Sequence, residues 1–188
     1  MKKYNFDIPE NMQSIVNSYT KGLGATGIVG GLIGPGADLI VIAPAWIKMT
    51  IELAKEADEE LSEQTIKKIV LAVMTGAGAF MAGTKAASTG LAWITAAFTG
   101  GVSLIISAAA NASLNAVFTA SYGLSVSRYF LLRRKIGLVD LAVPTIIALI
   151  GLDLGIPIDN LPDGAREIAE RFAELGENGR PSGWGNIR

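Results

Sequence analysis

The spacing of apolar and polar residues changes character several times along this chain, and each change predicts an element. Met12, Ile15, Val16 and Tyr19 share one face of a short helix that Pro9 is suited to open and that runs to about Lys21. From Ala45 to Leu61 the pattern is amphipathic. Trp46, Met49, Leu53 and Ala57 recur at helical spacing, while Lys48, Glu52, Lys55, Glu56, Glu59 and Glu60 take the other faces. Ser62 is placed to cap the next helix, and Glu63 suits its positive end. That helix begins with Gln64, Lys67 and Lys68 and then loses its charges. None occurs from Ile69 to Thr84, and after Lys85 none occurs from Ala86 to Ser127. As one helix the longer run would extend roughly 60 Å, about twice the apolar thickness of a bilayer. It must therefore double back, either within a membrane or as the centre of a helical bundle.

Gly22 to Gly36 separates the first two helices. Gly27/Gly31 and Gly30/Gly34 have the small-xxx-small spacing that lets helix backbones approach closely, and a flexible turn region fits the same residues. Pro35-Gly36 should redirect the chain, Asp38 should cap the helix that follows, and Pro44 should kink or restart it. Beyond Gly100-Gly101, which break the long uncharged run, Ser107, Asn111 and Asn115 fall at i, i+4 and i+8. That polar stripe reads as packing glue against another helix. Leu138 to Ile158 is apolar but interrupted by Asp140, Pro144, Asp153 and Pro157, and reads as a packed helix instead of a span. Asn160-Leu-Pro162 opens a C-terminal amphipathic helix with Ala165, Ile168, Ala169, Phe172 and Leu175 on its apolar face. Arg166–Glu170 and Glu167–Arg171 are its i, i+4 pairs, and Gly176 is its stop. The expected fold is all-α, about six helices around a central Gly/Ala-rich apolar hairpin. Its parts are an arm and short helix (1–21), a helical core (22–158), the C-terminal helix (159–176) and a flexible tail (177–188).

Composition narrows the chemistry. Of 188 residues, 50% are hydrophobic and 18% charged, with 22 glycines. The mean hydropathy of +0.41 leans toward a membrane protein, although much of it comes from alanine. A net charge of −1 gives no sign of a nucleic-acid partner. Without cysteine there are no disulfides, thiolates or Cys-based metal sites, and without histidine there is no imidazole base or common zinc site. No cofactor, metal or catalytic set is expected. Two motifs tempt and fail. Gly22-Leu-Gly24-Ala-Thr-Gly27 matches the dinucleotide fingerprint but follows a helical segment, where that site needs a strand. Gly78 to Gly83-Thr84-Lys85 resembles a phosphate loop whose lysine comes one position late. The first residues lack the apolar stretch of a signal peptide, so a cytoplasmic face is expected.

The cations carry the membrane reading. Arg128-Tyr129-Phe130 and Arg133-Arg134-Lys135 close the uncharged region with a basic, aromatic cluster of the kind that marks the cytoplasmic side of a membrane helix; an ordinary solvated helix end has the same composition. Lys68 and Lys85 could snorkel at the ends of the shorter run. Trp46, Trp93, Tyr129 and Phe130 would be interface anchors. With Lys67/Lys68 and the basic cluster on one side, the region between crosses an even number of times, as a two-pass hairpin. The expected function is a non-enzymatic, membrane-associated scaffold. Its hairpin is held in a lipid bilayer, and helices 45–61 and 162–175 form a platform for a partner or for homo-oligomer assembly. The alternative is a soluble bundle that inserts conditionally, as pore-forming proteins do. An enzyme using Asp38, Asp140 or Asp153 ranks last, because no base, nucleophile or metal constellation accompanies them.

Gly34-Pro-Gly-Ala-Asp38, Ile47-Lys-Met49 and the helix to Leu61-Ser62 resemble the opening of a bacterial family of unknown function. That family is found fused or adjacent to small GTPases and includes the YcjF-type inner-membrane proteins. Gly100-Gly101, Ile105, Ala109-Ala110, Thr119-Ala-Ser-Tyr-Gly123 and Tyr129-Phe130 resemble its second half, so the likeness covers roughly residues 22–130. The family usually has a proline before the middle glycine pair, and Ala96–Phe98 offers none. The EcsC-type membrane-associated family shares the glycine-rich stretch followed by an aspartate. The resemblance implies an α-helical accessory domain at the cytoplasmic face of the inner membrane, without catalysis of its own. It also implies a GTPase, if any, as a separate partner.

Overall fold

A computed structural model describes residues 8–33, 39–76, 102–136 and 142–177, and among them the chain is helical with no strand. The elements are α1 (Glu10–Ile33), α2 (Leu39–Glu56), α3 (63–76), α4 (Val102–Ile136), α5 (Ala142–Leu154) and α6 (Asp163–Glu177), with a single 3₁₀ turn at Ile158–Asn160 before α6. The all-α expectation holds. Lys85, Trp93, Gly34, Asp38, Gly100 and Gly101 lie outside the described residues, and so does the middle of the expected hairpin.

α1 continues where the sequence left a turn and a helix equally open. It runs through Gly22, Gly24, Gly27, Gly30 and Gly31 to Ile33. Each interior glycine costs about 1 kcal/mol relative to alanine, so the continuity comes from packing, and α1 lies along α4 over more of its length than any other helix pair. α2 likewise starts before Ala45 and carries Pro44 inside it. At the sixth position the proline forfeits one bond near the helix start, less than the full cost of a mid-helix proline.

α2 also ends earlier than Leu61. Asp58 adopts φ 58°, its amide donates to Lys55 O at 3.0 Å, and the Glu59 amide donates to Ala54 O at 2.8 Å. That pair of bonds is a Schellman cap with an aspartate in the left-handed position. Gly155 repeats the arrangement after α5, with φ 67° and the Ile156 amide on Gly151 O at 2.9 Å. Ser62 caps α3 as expected, accepting from the Thr65 amide at 3.1 Å. In α6 the Arg171–Glu167 pair forms at 2.6 Å. Arg166 turns instead to Asp163 (3.4 Å) and to the carbonyls of Asp159 and Leu161. The helix passes Gly176 by one residue.

Side-chain pairs fix the helix directions. Tyr19 O–H donates to Glu52 at 2.7 Å and Asn11 donates to Glu56, so α1 and α2 run antiparallel. Trp46 meets Thr119, and both Trp46 and Thr50 meet Tyr122, so α2 and α4 run in the same sense. The C-terminal half of α1 and the N-terminal halves of α2 and α4 therefore gather at one end of the bundle. The core fills the space between: Met12 and Val16 from α1, Met49 and Leu53 from α2, Val70 and Val73 from α3, Val126 from α4 and Ile146 from α5 are all buried. At Gly123 the approach is close enough that a Cβ would lie 2.8 Å from Val16 Cγ2 and 3.2 Å from Met49 Sδ.

Candidate functional site

The polar groups inside this bundle concentrate along α4. Asn115, Thr119 and Tyr122 continue the Ser107–Asn111 stripe at helical spacing and are buried. α2 meets that stripe with Trp46 and Thr50, spaced i, i+4 on the face that also carries Met49 and Leu53. The Trp46 and Tyr122 rings stack with centroids 4.0 Å apart and planes 3° apart. Trp46 Nε1 donates to Thr119 Oγ1 at 3.2 Å. Thr50 Oγ1 donates to the Trp46 carbonyl at 2.8 Å and lies 2.7 Å from the Tyr122 hydroxyl. A threonine hydroxyl has one proton, and that proton is committed to the carbonyl, so Tyr122 is the donor of the second bond. Ser121, Ser125 and Thr145 are buried as well, with hydroxyls that meet no hydrogen-bond partner among the described residues.

On the far side of α4 from that stripe, Arg128 reaches α5. Its Nη1 donates to both carboxylate oxygens of Asp153, at 2.8 and 2.7 Å, with the arginine side chain 7% exposed and the aspartate 22%. A nearly buried guanidinium needs such a partner, because an uncompensated charge inside protein is costly.

The residues expected at a membrane interface divide. Trp46, Arg128, Tyr129 and Phe130 lie inside the bundle. Their burial has a simple cause: the indole is stacked and bonded, the guanidinium is paired, and the two rings pack into the core 5.6 Å apart. Lys68 is exposed on α3. Arg133, Arg134 and Lys135 occupy the last turns of α4, where cations suit the negative helix end. Of the packing residues, Asn115 is buried, and Gly27, Gly30, Gly31, Ser107 and Asn111 sit within helices α1 and α4.

Sequence reasoning missed Thr50, Thr119, Tyr122 and the pairing of Asp153 with Arg128. The signal for two of them was present. The Ser107–Asn111–Asn115 series, extended by i+4 and then i+3, reaches Thr119 and Tyr122. What this arrangement can do chemically is hold helices in one register. Among the described residues its hydroxyls bond to one another, to the indole and to a main-chain carbonyl, and no metal-ligating cluster occurs. A shallow hollow on the outer face of α1, lined by Glu10, Gln13, Ser14, Asn17, Ser18 and Lys21, is open relief on a polar surface. Compared with known proteins, the chain matches no family model, no curated protein and no solved structure. The resemblance to YcjF-type and EcsC-type proteins stands on the quoted residues alone.

Proposed function

We propose that this chain is a non-enzymatic, membrane-associated helical scaffold at the cytoplasmic face of a bacterial inner membrane. The observation that carries this reading is how α4 spends its polar side chains. Thr119, Tyr122 and Arg128 bond inward to α2 and α5, while Val117 stays 48% exposed. A helix beside lipid gains from meeting its larger polar side chains with protein, as these three do, whereas the small Ser121 and Ser125 hydroxyls stay unbonded among the described residues. The charge-free stretch before it supplies the bilayer contact, and the charged outer faces of α2, α3 and α6 supply a platform in water for a second copy or for a separate partner, a small GTPase being the class the resemblance suggests. Cell fractionation tests the anchor. Retention in membranes after an alkaline wash is the expected result, and release into the wash removes it. Recovery of a GTPase with the intact protein in mild detergent tests the partner.

The second reading, a bundle that inserts conditionally, is favoured by two observations. Trp46, Tyr129 and Phe130 are packed inside, and among the described residues no helix is long and apolar enough to cross a membrane. Purification without detergent, followed by dye leakage from added liposomes, is the expected behaviour of this form. A detergent-free protein that leaves liposomes sealed excludes it.

A further inference from the structure

We propose that the bundle meets the bilayer end-on, through the end where the C-terminal half of α1 and the N-terminal halves of α2 and α4 gather. This rests on the membrane association proposed above and names the surface that makes it. The pairings Tyr19–Glu52 and Asn11–Glu56 set α1 against α2, and Trp46–Thr119 with Thr50–Tyr122 set α2 beside α4. That topology brings three sequence-distant, charge-poor segments together. Between Lys21 and Lys48 the only charge is Asp38, and α4 has none from Val102 to Ser127. Glu10, Glu52, Glu56, Glu59 and Glu60 all lie toward the opposite end. The bundle is polarised along its axis.

Depth and charge order both suit lipid. The stretch of α1 beyond Lys21 extends about 18 Å as helix, close to the roughly 15 Å thickness of one hydrocarbon leaflet. The first charges met on leaving that end are cations on both helices: Lys21 on α1 and Lys48 on α2, each exposed. Carboxylates come only after them. A pair of lysines at the apolar boundary is the order that anionic headgroups select, each cation contributing about fivefold in affinity.

The chain has no cysteine, so single cysteines can carry an environment-sensitive fluorophore on the intact protein. Thr26→Cys and Ser103→Cys label the charge-free end, and Ser14→Cys and Gln64→Cys the charged end. With phosphatidylcholine–phosphatidylglycerol vesicles, the first two labels should shift to the blue and be quenched by nitroxide-bearing lipid. The other two should keep their emission in water. Lys21→Gln with Lys48→Gln should lower the vesicle partition coefficient, about fivefold for each cation removed. Flotation of the protein with the labels at 26 and 103 still in water, or with those at 14 and 64 in lipid, overturns the end-on inference and leaves membrane association standing. No change in partitioning when Lys21 and Lys48 are both replaced overturns it too. Failure to float with any vesicle removes both.

Discussion

Thr50 has a single proton and two polar neighbours, so the two halves of its hydrogen bonding are not equivalent. Replacing Tyr122 by Phe removes a donor but leaves Thr50 bonded to the Trp46 carbonyl, and should cost about 1 kcal/mol. Replacing Thr50 by Val strands the Tyr122 hydroxyl inside the core, where an unmet polar group costs about 1–3 kcal/mol, so it should be the more harmful change. Urea unfolding of both variants and the double variant tests this. The double should cost less than the sum, because the second substitution removes the group that the first left unpaired. At the wetter α1–α2 contact, partial burial, with the Glu52 carboxylate beside it, raises Tyr19 from about 10 to about 12. The folded state thus holds the proton that the unfolded chain releases, and the stability from this group, complete below pH 10, is lost as pH rises through 12. Screening at so exposed a site reduces the loss to about 1 kcal/mol. Thermal unfolding from pH 9 to 12 should fall more steeply in the parent protein than in Tyr19→Phe, and equal slopes would refute the assignment.

Helix ends show what sequence could and could not reveal at the level of elements. Ser62 was legible as a cap because a serine three residues before a bondable amide is a local pattern, and Ser62→Ala should cost about 1 kcal/mol. The end of α2 was not legible. Asp58 occupies a left-handed position where glycine is the usual signal, and the charged residues to Glu60 sustain the look of a helix. Asp58→Val should therefore destabilise by about 1–2 kcal/mol, whereas Asp58→Gly should be tolerated. Chemical denaturation distinguishes them, and similar midpoints for the two would exclude backbone strain at this site. The length of α1 was hidden for a different reason. Its glycines weaken it locally, and what carries it to Ile33 is contact with α4, far away in sequence.

At the level of the whole molecule, the helical class and the buried faces of α2 and α6 followed from periodicity, because 3.6-residue spacing is a property of the segment itself. The location of Trp46, Arg128, Tyr129 and Phe130 did not, since aromatic and basic residues look alike in sequence whether they face headgroups or a tertiary partner. Trp46 is decided by Thr119 and Tyr122, and Arg128 by Asp153, all from other helices or turns far along the chain. Gly123 tests whether α1, α2 and α4 behave as one cooperative unit. Alanine there would gain about 1 kcal/mol of helix propensity. Against that, its Cβ would press on Val16, a stiff β-branched side chain, and on Met49, and overpacking of this kind costs about 1–3 kcal/mol. The overpacking wins, so Gly123→Ala should lower stability. Adding Val16→Ala should recover part of the loss, although Val16→Ala alone destabilises by opening a cavity. Calorimetry of the three variants reads both the sign and the coupling. If Gly123→Ala is more stable than the parent protein, the three helices do not approach each other as closely as this packing requires.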